Sequence, residues 1–155
     1  MPKRVYAIGQ ALKFKGQGLR FQNFNVDGNL KLDGQSYTFL PFGFSGVTVS
    51  RNGDNVDASI VVPNNYLCQA FAVQAWESEW LAEVTIGSFD PGSPRTFDNI
   101  LYTYLGIVSA GGCDDTAINL VLNSVLDAVT GEIPHRVFNS QNVGPLPITS
   151  NIGLQ

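Results

Sequence analysis

Between Leu19 and Val62 the chain is cut at short intervals by dipeptides that favour tight turns: Asp27-Gly28, Asp33-Gly34, Ser45-Gly46 and Asn52-Gly53. Asn-Gly and Asp-Gly tolerate the positive φ angles that a two-residue hairpin loop demands. The runs between them have the length of strands. In DNVDASIVV, Val56, Ala58, Ile60 and Val62 fall on one face and Asp57 and Ser59 on the other, the period of a half-buried strand. This run and VTVS flank Arg51-Asn52-Gly53-Asp54, the strongest hairpin signal in the sequence. In YTFLPFGF the alternation slips: Tyr37 and Phe39 share one parity, Phe42 and Phe44 the other. Pro41 sits at the slip and has no N–H for a ladder, so a bulge or bend is expected there.

One stretch departs from the β pattern. In PNNYLCQAFAVQAW, Leu67, Ala70, Phe71 and Ala75 recur at helical spacing, and Asn64 or Asn65 follows Pro63 as a cap. A single helix of about three turns is expected, its stripe serving as core. Trp80, Ala82, Val84 and Ile86 then alternate against Glu83 and Thr85, PGSPRT reads as a loop, and GGCDDT as a turn. NILYTYLGIVSA is apolar on both faces, as a central, well-covered strand would be, and AINLVLN puts Ile118, Leu120 and Leu122 on one side. The expected fold is mainly β, a barrel or sandwich of about seven or eight strands with one short α-helix. Residues 1–17 read as an N-terminal arm or edge strand, 18–138 as the β-rich domain, and 139–155 as an extended C-terminal tail.

At 155 residues the chain is long enough for one domain with a real core. Charged residues make up only 14%, about half the usual share, while Gly, Asn and Ser are plentiful. Such a surface suits a protein partly covered by partners. The net charge is −4 and the nine basic residues are scattered, which argues against a grip on nucleic acid through phosphates. No apolar run approaches the length of a membrane span, and MPKRVYAIG is broken by Gly9, Gln10 and Lys13 too early for a signal peptide. No membrane association is expected, and the protein is expected to be made in a cytoplasm.

Chemistry is thin. No GxSxG, HExxH, P-loop or GxGxxG motif occurs, and the lone His135 has no recognisable nucleophile beside it. Glu77 with Glu79 and Asp114 with Asp115 are the carboxylate pairs. A glycosidase needs its two carboxylates on separate elements flanking a substrate, so solvated turn groups are the favoured reading. Cys68 and Cys113, 45 positions apart and without a CxxC, read as two buried free thiols. The expectation is therefore a non-enzyme with no catalytic residues, no cofactor and no metal. The aromatics, Trp76 and Trp80 among them, are numerous enough to fill a core and leave a remainder for an interface or a carbohydrate platform.

The order of segments resembles the phage minor tail protein L family and its tail-tip relatives. Gly34, Tyr37, Pro41, Phe42, Gly53, Ala58, Ile60, Val62 and Asn64 match its opening pattern, and Leu122, Ser124, Asp127, Pro134, Arg136 and Phe138 its closing one. The resemblance spans residues 18–138. It implies a structural virion protein of a tail tip or baseplate. That protein forms a homo-oligomeric ring, typically a trimer, that joins the distal tail protein or tail tube to the central hub. It implies a place in the virion tail, assembled in the host cytoplasm, with DNA passing through the lumen without specific binding. An acidic chain suits such a lumen, since negative walls repel phosphate. Larger members of the family bind an iron–sulfur cluster through a cysteine-containing C-terminal domain. No cysteine follows Cys113 here, so no cluster is carried over. In this frame Thr130-Gly131 is a turn, Pro134 starts an exit, and Pro134, His135, Arg136 and Phe138 anchor the departing chain, with Trp76 and Trp80 as further interface candidates. The alternatives are a carbohydrate-binding β-sandwich module and, less favoured, a small hydrolase using His135 or a carboxylate pair.

Overall fold

The computed structural model describes residues 5–26, 30–47 and 58–125. Among the described residues, nine strands and one helix occur in the order β1 (Ala7–Phe14), β2 (Arg20–Gln22), β3 (Leu30–Leu32), β4 (Gln35–Phe39), β5 (Gly43–Phe44), β6 (Ala58–Pro63), α1 (Tyr66–Glu77), β7 (Leu81–Phe89), β8 (Asn99–Cys113) and β9 (Ala117–Ser124). All nine join one sheet, ordered β3-β4-β2-β1-β7-β8-β9-β6-β5. The mainly β fold with one helix is thus present. All the pairings are antiparallel except that of β2 with β4.

The sheet is strongly curled. Phe39 pairs with Gln22 near one end of the strand order, and Gly43 pairs with Val61 near the other. Four residues of extended chain span at most about 14 Å. Laid flat, the seven intervals between β4 and β5 would measure roughly 34 Å. The sheet therefore bends until its ends approach, as in a barrel. Leu40, Pro41 and Phe42 form the bridge, so the parity slip at Pro41 marks a jump between strands and not a bulge within one. Leu40 and Phe42 are both buried where the ends meet.

The strands are covered on opposite faces at their two ends. On β1 and β7, Leu12 faces Val84 and Phe14 faces Ala82, all in the main core with α1, β6 and β9. The opposite parity carries Ala11 and Phe89 into a second, smaller core with Leu30, Tyr37 and Phe97. One strand thus serves two cores by alternation alone. Its central place corrects the expectation of an arm or edge strand at residues 1–17: β1 lies between β2 and β7. The β1–β2 turn follows Phe14, with Gly16 and Gly18 at positive φ.

The helix begins where Asn65 Oδ1 accepts the Cys68 N–H at 2.8 Å. It ends in a Schellman arrangement: Trp80 N–H bonds to Ala75 O, Glu79 N–H to Trp76 O, and Glu79 takes φ +48°. Glu79 is thereby a helix stop, and Glu77 the last helical residue. The buried stripe is Cys68, Phe71, Ala72 and Ala75. Leu67 and Ala70, expected in it, are exposed. Phe71 packs on Phe14 and Phe21 in the main core, and with it the inner face falls on Cys68, Ala72 and Ala75, which leaves Leu67 off that face. Two further expectations fail. β8 is covered only over Tyr104–Val108, and both of its ends are exposed. Cys113 is exposed, and only Cys68 is a buried thiol. The hairpin signal at 51–54 lies outside the described residues.

Candidate interaction surfaces

Aromatic packing and side-chain amides build the smaller core and hold the strand ends in place. Gly9 and Gly87 are direct partners across β1 and β7. Phe24 lies over Gly9 and Phe97 over Gly87, so closely that a Cβ at either glycine would collide with the ring. Phe24 stacks on Phe97 at 5.2 Å and on Phe89 at 4.4 Å. The turn that delivers Phe24 is held by Gln22, fully buried, whose Oε1 accepts from Phe24 N–H at 2.9 Å and Asn25 N–H at 2.7 Å. Asn23 accepts from Gln10 N–H and donates to Gln10 Oε1 and Phe42 O, and Asn25 donates to Pro94 O. The rings of Phe24 and Phe97 cover the Gly9–Gly87 face of the β1–β7–β8 end; on the other side, where Gln10 and Asn23 pair, the outer residues are bare.

On that bare side Ile86 stands opposite Tyr102, with Ile8 diagonal to them on β1. Ile8 is 67% exposed and Tyr102 44%. Val5 and Tyr6 lead into the same end, and Ile100 and Leu101 lie at the β8 irregularity beside Gly87. Half of the exposed large apolar side chains of the described residues therefore collect where three adjacent strands end. Single exposed apolar residues are ordinary, but this concentration at one end of three neighbouring strands, Tyr102 on one face and Ile100, opposite Gly87, on the other, is a candidate contact surface. In the sequence Ile100, Leu101 and Tyr102 read as part of a covered strand, because an apolar run looks the same whether the fold or a partner covers it.

A second surface is a groove of about 220 Å³ between α1 and the far ends of β8 and β9. Ala72, Val73 and Trp76 form its helix wall, and Gly111, Cys113 and Leu120 lie along the sheet side. Its polar members, Asn64 and Gln69, are joined at 2.6 Å, and Asn64 also donates to Asp114 O. Asp114 closes the β8–β9 turn by accepting from Thr116 N–H, Ala117 N–H and the Thr116 hydroxyl. The backbone bonds from Thr116 and Ala117, followed by that hydroxyl, hold its carboxyl below the ordinary aspartate range. Asp114 thus shapes a turn, as expected. No charged side chain lines the groove, so it suits apolar side chains.

Of the candidate residues, Pro134, His135, Arg136 and Phe138 lie outside the described residues. Trp76 is half-exposed on the groove wall. Trp80 is buried in the main core, edge-on to Phe14 at 5.5 Å, and is not available as a surface anchor. The described residues contain no group of three His, Cys, Asp or Glu side chains placed to hold a metal. None of their helices is long and apolar enough to cross a membrane.

No family model and no curated protein matches the chain. Among solved structures, the fold is similar to a chain in the virion of a native gene transfer agent particle. The TM-score is 0.55 at 16% identity, over 87% of this chain and 45% of that one. The chain thus spans less than half the length of that neighbour, and the likeness is one of fold.

Proposed function

We propose that this chain is a structural protein of a virion, at the tail tip or baseplate. In this reading it forms a homo-oligomeric ring, with three copies favoured, joining the distal tail protein or tail tube to the central hub. The observation that carries the reading is the bare apolar end of β1, β7 and β8, which needs a partner to leave water. Its fold likeness to a chain of a virion particle supports the same class of role, as does the resemblance of residues 18–138 to tail-tip proteins. Pro134, His135, Arg136 and Phe138 anchor the chain where it leaves the domain, Arg136 to a carboxylate or carbonyls of a subunit contact. The protein acts without catalysis, and DNA passes through the ring without specific binding.

A carbohydrate platform draws less support, because it needs coplanar exposed aromatics side by side. Tyr66 and Trp76 are separated by about 15 Å along α1, and the exposed Tyr6 and Tyr102, at the other end of β8 from the groove, have β7 between their strands. Native mass spectrometry of the chain, alone and mixed with the distal tail and hub proteins of the same particle, tests the reading. A closed oligomer is expected, and a strict monomer in every mixture contradicts it.

A further inference from the structure

Among the described residues, no strand fills the position beside β8 at the groove near Trp76. β7 pairs with β8 only as far as Leu81 opposite Ile107, whereas β8 continues to Cys113 along β9. The lane that a longer β7 would fill, next to residues 109–113, has no strand among the described residues, and those five residues are exposed. The hydrogen-bond phase of this edge follows from the hairpin. Asp114 N–H bonds to Ala117 O, so in an antiparallel ladder Gly112 faces β9 while Gly111 and Cys113 turn their N–H and C=O toward the empty lane. Gly111 and Cys113 also line the groove against Val73 and Trp76. An incoming strand bonded to them therefore places its own alternate side chains in that groove.

Beyond Val125, residues 126–155 of this chain place two large apolar side chains at alternate positions twice, Leu146 with Ile148 and Ile152 with Leu154; only the first pair, in Pro145-Leu146-Pro147-Ile148, alternates with prolines. In a strand, the residues that bond to one neighbour alternate, and they share a face. If Leu146 and Ile148 bond to Gly111 and Cys113, both apolar side chains enter the groove. Pro145 and Pro147 then turn their missing N–H outward, where no ladder needs it. The opposite phase would set two prolines against the edge and the apolar side chains in water. Prolines on the outer side would also stop a further strand from adding.

We propose that residues 145–148 add as a strand to the free edge of β8 in their own copy, with Leu146 and Ile148 seated against Val73 and Trp76. The nineteen residues between Val125 and Pro145 reach several tens of ångströms, more than the length of β9. A tether of that length holds the segment at an effective concentration on the order of millimolar, so the edge takes its own copy's segment ahead of a neighbour's in dilute solution. The proposal goes beyond the tail-tip reading and stands without it.

Cys113 supplies the test. In the full chain, a cysteine is introduced singly at Leu146, Pro147 or Ile148, with one at Ser140 as control, and oxidised glutathione is added. Paired strand residues lie at a spacing a disulfide accepts. Leu146→Cys or Ile148→Cys should link to Cys113 at least about tenfold faster than the Pro147→Cys or Ser140→Cys variants. The linked species should be monomeric and form at a rate unchanged by dilution. Trp76→Ala should slow the linkage, and Cys113→Ser should abolish it. Equal rates at all four positions, or linkage only between copies, would overturn the proposal. Because every variant keeps the tail-tip contacts at the other end of the sheet, the outcome does not depend on ring formation.

Discussion

Gly9 and Gly87 face each other across β1 and β7, and each carries an aromatic ring, Phe24 or Phe97, where a side chain would stand. The smaller core therefore depends on two positions without Cβ. Gly9→Ala or Gly87→Ala should destabilise the fold by about 1–3 kcal/mol through overpacking. Combining Gly9→Ala with Phe24→Ala should cost less than the sum of the two, because the clash disappears with the ring. Urea unfolding of the four species in that cycle measures the coupling, and strict additivity would contradict the contact.

The two tryptophans should separate cleanly. Trp80→Ala removes a buried ring packed on Phe14 and should cost about 3–5 kcal/mol. Trp76→Ala, on the groove wall and against the proposed seat of Leu146 and Ile148, should cost less than that, about 1–2 kcal/mol. Thermal unfolding of both variants checks the order, and a larger loss at Trp76 would show that the groove is part of the core.

Asp114 ties the β8–β9 turn to pH. Its folded pKa lies below the unfolded value, so its stabilisation is fully present above the ordinary carboxylate range. That stabilisation fades as pH falls through the depressed folded value. Amide exchange at Thr116 and Ala117 should accelerate in that acid window in the native chain. In Asp114→Asn, which keeps an acceptor but cannot titrate, this acid dependence should vanish.

The strand lengths and turns were legible because period-two alternation and Gly-containing turns are local. Ala58, Ile60 and Val62 are all buried, as their shared face requires. The stop of α1 was not, since Glu79 adopts positive φ without being glycine. The position of β1 was equally hidden, because its centrality comes from pairing with β7, whose residues lie 68 to 82 positions away. Ile100 to Tyr102 misled for a different reason. Apolar composition reports a need for cover but not whether the same chain supplies it. At the candidate site, Trp76 and Trp80 look alike in sequence, and only the direction of the helix exit separates wall from core.

Charge placed on the bare end should disrupt assembly without unfolding the subunit. Tyr102→Asp and Ile8→Asp should leave the unfolding midpoint nearly unchanged and abolish the oligomer in analytical ultracentrifugation. Arg136→Ala should weaken the oligomer while the monomer stays folded. Assembly unaffected by all three would remove this end and the anchor from the interface.

A ring of this protein at the tail tip would be visible by cryo-electron microscopy of the intact particle. Density for this nine-stranded domain is expected in a closed ring between tail tube and hub, with the ends of β1, β7 and β8 packed on a neighbour. A particle whose tail tip is fully accounted for by other chains, with none of this fold present, would contradict it.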